Sequence, residues 1–148
     1  MKRNLILILF LSLVCGCYDV IVNHDLKIKN NSKMKISVLY SKVKQGKITE
    51  NNIAFYITDR NIISPDSVYD ITTLGGQDAW HEVIEDSPDK KLFIYVFNTD
   101  SLIKYNSTQY SINDLVYLNK YLKRYEYTER QLIDDNWKIN FNYKTPIN

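Results

Sequence analysis

Six apolar side chains follow one another at Leu92-Phe93-Ile94-Tyr95-Val96-Phe97, the longest such run beyond the first 17 residues. Successive side chains of a strand point to opposite faces, so a strand of this composition needs apolar cover on both. Six residues rich in β-branched and aromatic types suit a strand and are short for a helix. The run is therefore expected to be a central strand, buried on both faces.

Several other segments carry the period-two signature of half-buried strands. Leu26-Lys27-Ile28-Lys29 alternates strictly, and so does Met34-Lys35-Ile36-Ser37-Val38. Between them, Asn30-Asn31-Ser32-Lys33 is rich in turn formers, which predicts a β-hairpin. Val43 to Arg60 is ambiguous, with Ile53 to Ile57 a candidate short strand. After the turn Ser64-Pro65-Asp66, the stretch Ser67 to Thr73 alternates until Gly75-Gly76 ends it. Tyr121 to Tyr127 and Trp137 to Tyr143 read as two late strands.

Helices are expected to be short. In Asp78 to Asp86, Trp80, Val83 and Ile84 fall on one face, and Pro88-Asp89 ends the pattern. Thr99 or Asp100 can cap a short turn through Lys104, and Ser111 a helix from Ile112 to about Asn119. Thr128 and Gln131 have capping-box spacing and open a helix through Asp135, with Leu132 and Ile133 inward. Extended runs dominate and no βαβ rhythm appears. The expected fold is mainly β, of the α+β class. It is a single antiparallel sheet or small β-sandwich with three short peripheral helices in the C-terminal half.

The N-terminus reads as an address. Lys2 and Arg3 precede the apolar run Leu5 to Val14, interrupted only by Ser12. Ten residues are too few to span a bilayer, which takes about 20, and they suit a signal-peptide h-region. Val14-Cys15-Gly16-Cys17 follows. It resembles the lipobox of bacterial lipoproteins, with Val14 aliphatic three before Cys17 and Gly16 small just before it; Cys15 is an unusual filler. The resemblance implies cleavage before Cys17 and modification of its sulfur with diacylglycerol. Two or three acyl chains give stable membrane attachment, since each buried CH2 contributes about 0.8 kcal/mol. The alternative is an ordinary cleaved signal peptide and a soluble secreted protein.

The expected organisation is residues 1–16 as signal peptide, 17–25 as a lipidated tether and 26–148 as one β-rich globular domain. The formal charge of +2 belongs to Lys2 and Arg3, so the processed chain is neutral. Within it, residues 18–60 hold eight Lys and Arg against four carboxylates. No nucleic-acid partner is expected from that balance.

A second resemblance lies in the C-terminal third. LFIYVFNTDSLIKY (Leu92–Tyr105), YLKRYEYT (Tyr121–Thr128), Leu132 and NWKINF (Asn136–Phe141) form a series of motifs. The series resembles a group of small uncharacterised lipoproteins common in Bacteroidota. This chain departs from it at Asn142-Tyr143-Lys144, where the group often has Tyr-Pro. The resemblance implies a location, with the outer membrane favoured, and a fold; it brings no catalytic residue.

Residues that could carry chemistry are few. His81-Glu82-Val83-Ile84-Glu85 approaches H-E-x-x-H, but Glu85 stands where the second His would bind zinc. Asp78, His81, Glu82 and Glu85 read better as the solvated face of a helix than as a cation site. The only other histidine is His24. No G-x-S-x-G elbow and no phosphate-binding glycine loop occurs. With Cys15 removed and Cys17 alkylated, no thiol chemistry is left. Neither catalytic residues, nor a metal, nor a cofactor is expected. Lys27, Lys29, Lys33 and Lys35 could share one sheet face, as contacts to anionic headgroups or as a solvated edge. Tyr121, Arg124, Tyr125 and Tyr127 are the candidate binding residues, because Tyr and Arg suit recognition surfaces. In strand alternation Tyr121, Tyr125 and Tyr127 share a face opposite Leu122 and Arg124. The expected function is a membrane-anchored, non-catalytic envelope protein binding a protein or glycan. The alternative is an inhibitor or immunity lipoprotein that neutralises an envelope-targeting toxin or hydrolase.

Overall fold

The computed structural model describes residues 22–23, 25–45 and 48–143. The signal segment and Cys17 lie outside the described residues. The described chain is mixed α+β. Its strands are β1 (Val22–Asn23), β2 (Lys27–Asn30), β3 (Ile36–Ser41), β4 (Ile62–Ile63), β5 (Val68–Asp70), β6 (Thr73–Leu74), β7 (Leu92–Asn98), β8 (Lys123–Tyr127) and β9 (Lys138–Phe141). Its helices are α1 (Ile53–Tyr56), α2 (Ala79–Glu85), α3 (Thr99–Asn106), α4 (Ile112–Tyr117) and α5 (Glu129–Asp134), with a 3-10 turn at Asp59–Asn61.

β7 is central, as its composition requires. It lies between β3 and β8 in an antiparallel four-stranded sheet of order β4-β3-β7-β8. Leu92, Ile94 and Val96 enter one core with Ile36, Trp80, Ile84 and Leu132. Phe93, Tyr95 and Phe97 enter a second core with Leu39, Ile53, Leu102 and Leu115. The first core is closed by a three-stranded sheet of order β5-β2-β9, which contributes Ile28, Ile139 and Phe141. The second is closed by α1, α3 and α4. β1 pairs with β6 in a short separate ladder.

A single antiparallel sheet is therefore not what forms. The strands divide into three sheets, and β2 pairs in parallel with β9 from the far end of the chain. The helices also exceed three and start at Ile53, in the first half. Ile53 to Ile57 is not a strand, because the Asn52 side chain accepts from the Ala54 backbone N–H and caps a helix. The turn after β7 becomes a two-turn helix, capped by Asn98 rather than by Thr99 or Asp100. Both Ser111 with Asp114 and Thr128 with Gln131 form complete capping boxes. Within α5, Leu132 is buried but Ile133 points to solvent.

The expected hairpin is replaced by a crossover. β2 pairs with β5 and β9, whereas β3 pairs with β4 and β7. Asn30 causes the divergence. It is fully buried, and its Nδ2 donates to the carbonyls of Met34 (2.8 Å), Ile63 (3.1 Å) and Ser64 (3.1 Å). Its Oδ1 accepts from the backbone N–H and hydroxyl of Ser32. The amide thus joins the start of one sheet to the edge of the other. The four lysines do not share a face either: Lys27 and Lys29 lie in β2, whereas Lys33 and Lys35 lie in the crossover.

Candidate functional site

The Tyr/Arg-rich candidates occupy β8 and its approach, and they use much of their chemistry internally. The strand begins at Lys123, so alternation does not extend back to Tyr121. Tyr121 instead packs edge-on against Tyr95, at 5.2 Å between ring centres, on the face that carries Arg124. The Arg124 guanidinium donates to the Tyr121 hydroxyl (3.2 Å) and to Glu126 (2.8 Å). Glu126 also faces Lys44 at 3.3 Å. Burial works against the charge of Glu126, yet Lys44 and Arg124 hold its carboxyl below the usual range. On the other face Tyr125 and Tyr127 stack at 5.9 Å, half-buried against the first core. The Tyr125 hydroxyl donates to the Asn140 carbonyl, and burial pushes its pKa up to about 12. These four side chains form a wall joining β8 to its neighbours.

His81 does not gather carboxylates of its own helix. Its Nδ1 lies 2.9 Å from Oε2 of Glu129 at the start of α5, with the imidazole about half exposed. The hydrogen bond to Glu129 and then its charge raise the imidazole above its ordinary value. Among the described residues no group of three His, Cys, Asp or Glu side chains is placed to hold a metal ion.

A cleft of about 480 Å3 opens elsewhere, at the edge of the four-stranded sheet. Its origin is a mismatch in strand length. β3 runs from Ile36 to Ser41, but β4 covers only Ile36 and Ser37. Beyond that point the chain of β4 is turned aside by the 3-10 turn Asp59–Asn61. Val38, Leu39 and Tyr40 are left lining the cleft. The Thr99 N–H donates to the Lys35 carbonyl, which sets the phase of the β3–β7 ladder. Antiparallel alternation then turns the backbone of Ser37 and Leu39 toward β7 and that of Ile36, Val38 and Tyr40 toward β4. Ile36 meets Ile63 there. Val38 and Tyr40 lie beyond the two residues of β3 that β4 covers.

The cleft walls come from both layers. Tyr69 and Ile71 stand on the side of the three-stranded sheet, and Ile48, Phe55 and Tyr56 on the helical side. Asn61 is 9% exposed and ties the walls together: Nδ2 donates to the Phe55 carbonyl (2.7 Å) and Oδ1 accepts from the Tyr69 hydroxyl (3.1 Å). The Tyr56 hydroxyl donates to the Glu50 carbonyl. Burial, then the nearby Glu50 charge, raises the Tyr56 phenol well above its ordinary value. Burial also raises Tyr69, against the pull of Arg60. The exposed Arg60 guanidinium sits 5.4 Å over the Phe55 ring. Arg60 has no carboxylate partner among the described residues. Lys42 and Lys44 are paired with Asp86 and Glu126.

Such a site has the shape and lining to bind a ligand. Its three phenols already donate, Tyr40 to Thr73, Tyr56 to Glu50 and Tyr69 to Asn61, and no histidine or cysteine among the described residues lines it. Aromatic walls, a fixed amide and an arginine without a carboxylate partner among the described residues are the kind of lining found in ligand pockets. Comparison of the chain with protein-family models, with curated proteins and with solved structures finds no match.

Proposed function

We propose that the protein is a lipid-anchored, non-catalytic binding module of a bacterial cell envelope, attached through Cys17 and placed beside the small lipoproteins of Bacteroidota. The observation that carries the binding role is the cleft beside β3, where an aromatic pocket meets an arginine with no carboxylate partner among the described residues. Its volume lies within the range of small-ligand and peptide sites. The internal pairing of Tyr121, Arg124 and Glu126 favours this cleft over the β8 surface as the ligand site. The anchor rests on the order of Lys2, the apolar run, Gly16 and Cys17. No helix among the described residues is long and apolar enough to cross a membrane. We also class the two main sheets as a small β-sandwich, on the core that Ile28 and Ile139 share with Ile94 and Val96.

Cys17→Ser tests the anchor. The wild-type protein should incorporate labelled palmitate and sediment with membranes; the variant should do neither. A variant that remains membrane-bound with unchanged electrophoretic mobility would refute lipidation at Cys17. Protection of cells against an envelope hydrolase, lost on deletion of the gene, would instead favour an inhibitor.

A further inference from the structure

We infer that the outer face of the three-stranded sheet docks on the anionic phospholipid headgroups of the membrane that holds the anchor. The inference rests on the reading of Cys17 as lipidated and adds the orientation in which the folded chain sits.

The first reason is charge. Lys27 and Lys29 of β2 flank the buried Ile28, so both lie on the side of the sheet away from the core. The parallel register sets Lys138 of β9 beside Lys27, and Asn140 beside Lys29. From the other side β5 sets Asp70 beside Lys27 and Val68 beside Lys29. This face therefore gathers three ammonium groups and one carboxylate from the three strands. Asp70 pairs with Lys27 at 3.5 Å. Lys29 and Lys138 have no carboxylate partner among the described residues. Like charges side by side on neighbouring strands cost stability, and anions laid over them remove that cost.

The second reason is the surface between the charges. The three lysines line a groove of about 260 Å3 with Val68, Ile139 and Asn140. Val68 is 59% exposed. An apolar floor ringed by long-stemmed cations suits a bilayer interface, where the stems stay with apolar surface and the ammonium groups reach phosphates. No aromatic ring lines the groove, so an acidic glycan would meet the charge but find no face to stack on.

The third reason is position. Val22 is fixed opposite Leu74 in the β1–β6 ladder, so five residues, at most about 18 Å, separate Cys17 from the folded chain. β2 starts four residues after β1 ends. The lipid is thus held close to the strand that presents Lys27 and Lys29. Helices α3 and α4 cover the opposite side of the four-stranded sheet and face away from the membrane in this orientation.

The test reconstitutes the full-length processed protein into vesicles of phosphatidylcholine, alone or with about 30% phosphatidylglycerol. Lysine acetylation by a water-soluble reagent is followed at each residue by mass spectrometry. Lys29 and Lys138 should react at least about fivefold more slowly on the anionic vesicles, and about 0.5 M NaCl should remove the difference. Lys104, exposed on α3, should react equally on both. In the double variant Lys29→Glu/Lys138→Glu, Lys27 should also react equally on both. Both substituted positions are exposed and lose no ion pair, so the variant should fold as the wild type does. Equal rates at Lys29 and Lys138 on the two kinds of vesicle, with the protein still bound to them, would overturn docking and leave the anchor standing. Protein that separates from both kinds of vesicle would refute the anchor and the docking with it. Slowing by soluble polygalacturonate but not by anionic vesicles would give the face to an acidic glycan and overturn the inference.

Discussion

Asn30→Leu should lower the unfolding free energy by about 4 kcal/mol, measured by chemical denaturation. The side chain is of similar size, so little cavity is created. What changes is polar satisfaction. The carbonyls of Met34, Ile63 and Ser64 lose their common donor, and the N–H and hydroxyl of Ser32 lose their acceptor. An interior group left without a partner costs about 1–3 kcal/mol. Five hydrogen bonds worth about 0.5–1.5 kcal/mol each are lost, although the Met34 carbonyl keeps the Ser32 hydroxyl and the Ser64 carbonyl keeps the Ser67 N–H. Asn30→Asp should be no better at neutral pH. It keeps the acceptor for Ser32 but sets a carboxylate against three carbonyl oxygens. A loss below about 1 kcal/mol for both variants would show that Asn30 does not hold the two sheets together.

Trp80→Ala should cost a similar amount, about 3–5 kcal/mol, as expected for a large buried aromatic. Trp80 is 1% exposed and packs edge-on to Tyr40, with ring centres 5.0 Å apart. Trp80→Phe should cost only about 1 kcal/mol. The indole Nε1–H is buried without a hydrogen-bond partner among the described residues, so Phe removes an unsatisfied donor while keeping most of the packing. Equal losses for Ala and Phe would mean that the indole makes a hydrogen bond in solution. The same contact links stability to the cleft, because Tyr40 lines it. Loosening of Tyr40 should therefore weaken ligand binding in Trp80→Ala and leave it nearly intact in Trp80→Phe.

Local signals in the sequence were reliable guides where the physics is local. The unbroken run at Leu92–Phe97 required burial on two faces, and β7 has it. Ser111 and Thr128 cap helices because capping needs only residues three apart. Pairing was not legible. β2 and β9 are parallel neighbours although more than 100 residues separate them, and alternation alone names no partner. Asn30 looked like a turn former, since its partners at Ile63 and Ser64 are visible only once the chain is folded. Ile53–Tyr56 is too short for periodicity to separate helix from strand, and its one informative signal was Asn52 just before it. The cleft depends on β4 ending two residues into its pairing with a six-residue β3. No pattern in either segment encodes that difference, so the Tyr and Arg residues of β8 stood out instead.

Amide hydrogen exchange along β3 tests the open edge most directly, in the free protein and before any ligand is known. Ser37 and Leu39, bonded toward β7, and Ile36, opposite Ile63, should exchange slowly. Tyr40, which lies past the end of the β4 ladder, should exchange much faster than these neighbours. A Tyr40 amide as protected as those of Ser37 and Leu39 would mean that the edge of β3 is paired along its whole length, and that no cleft opens onto it.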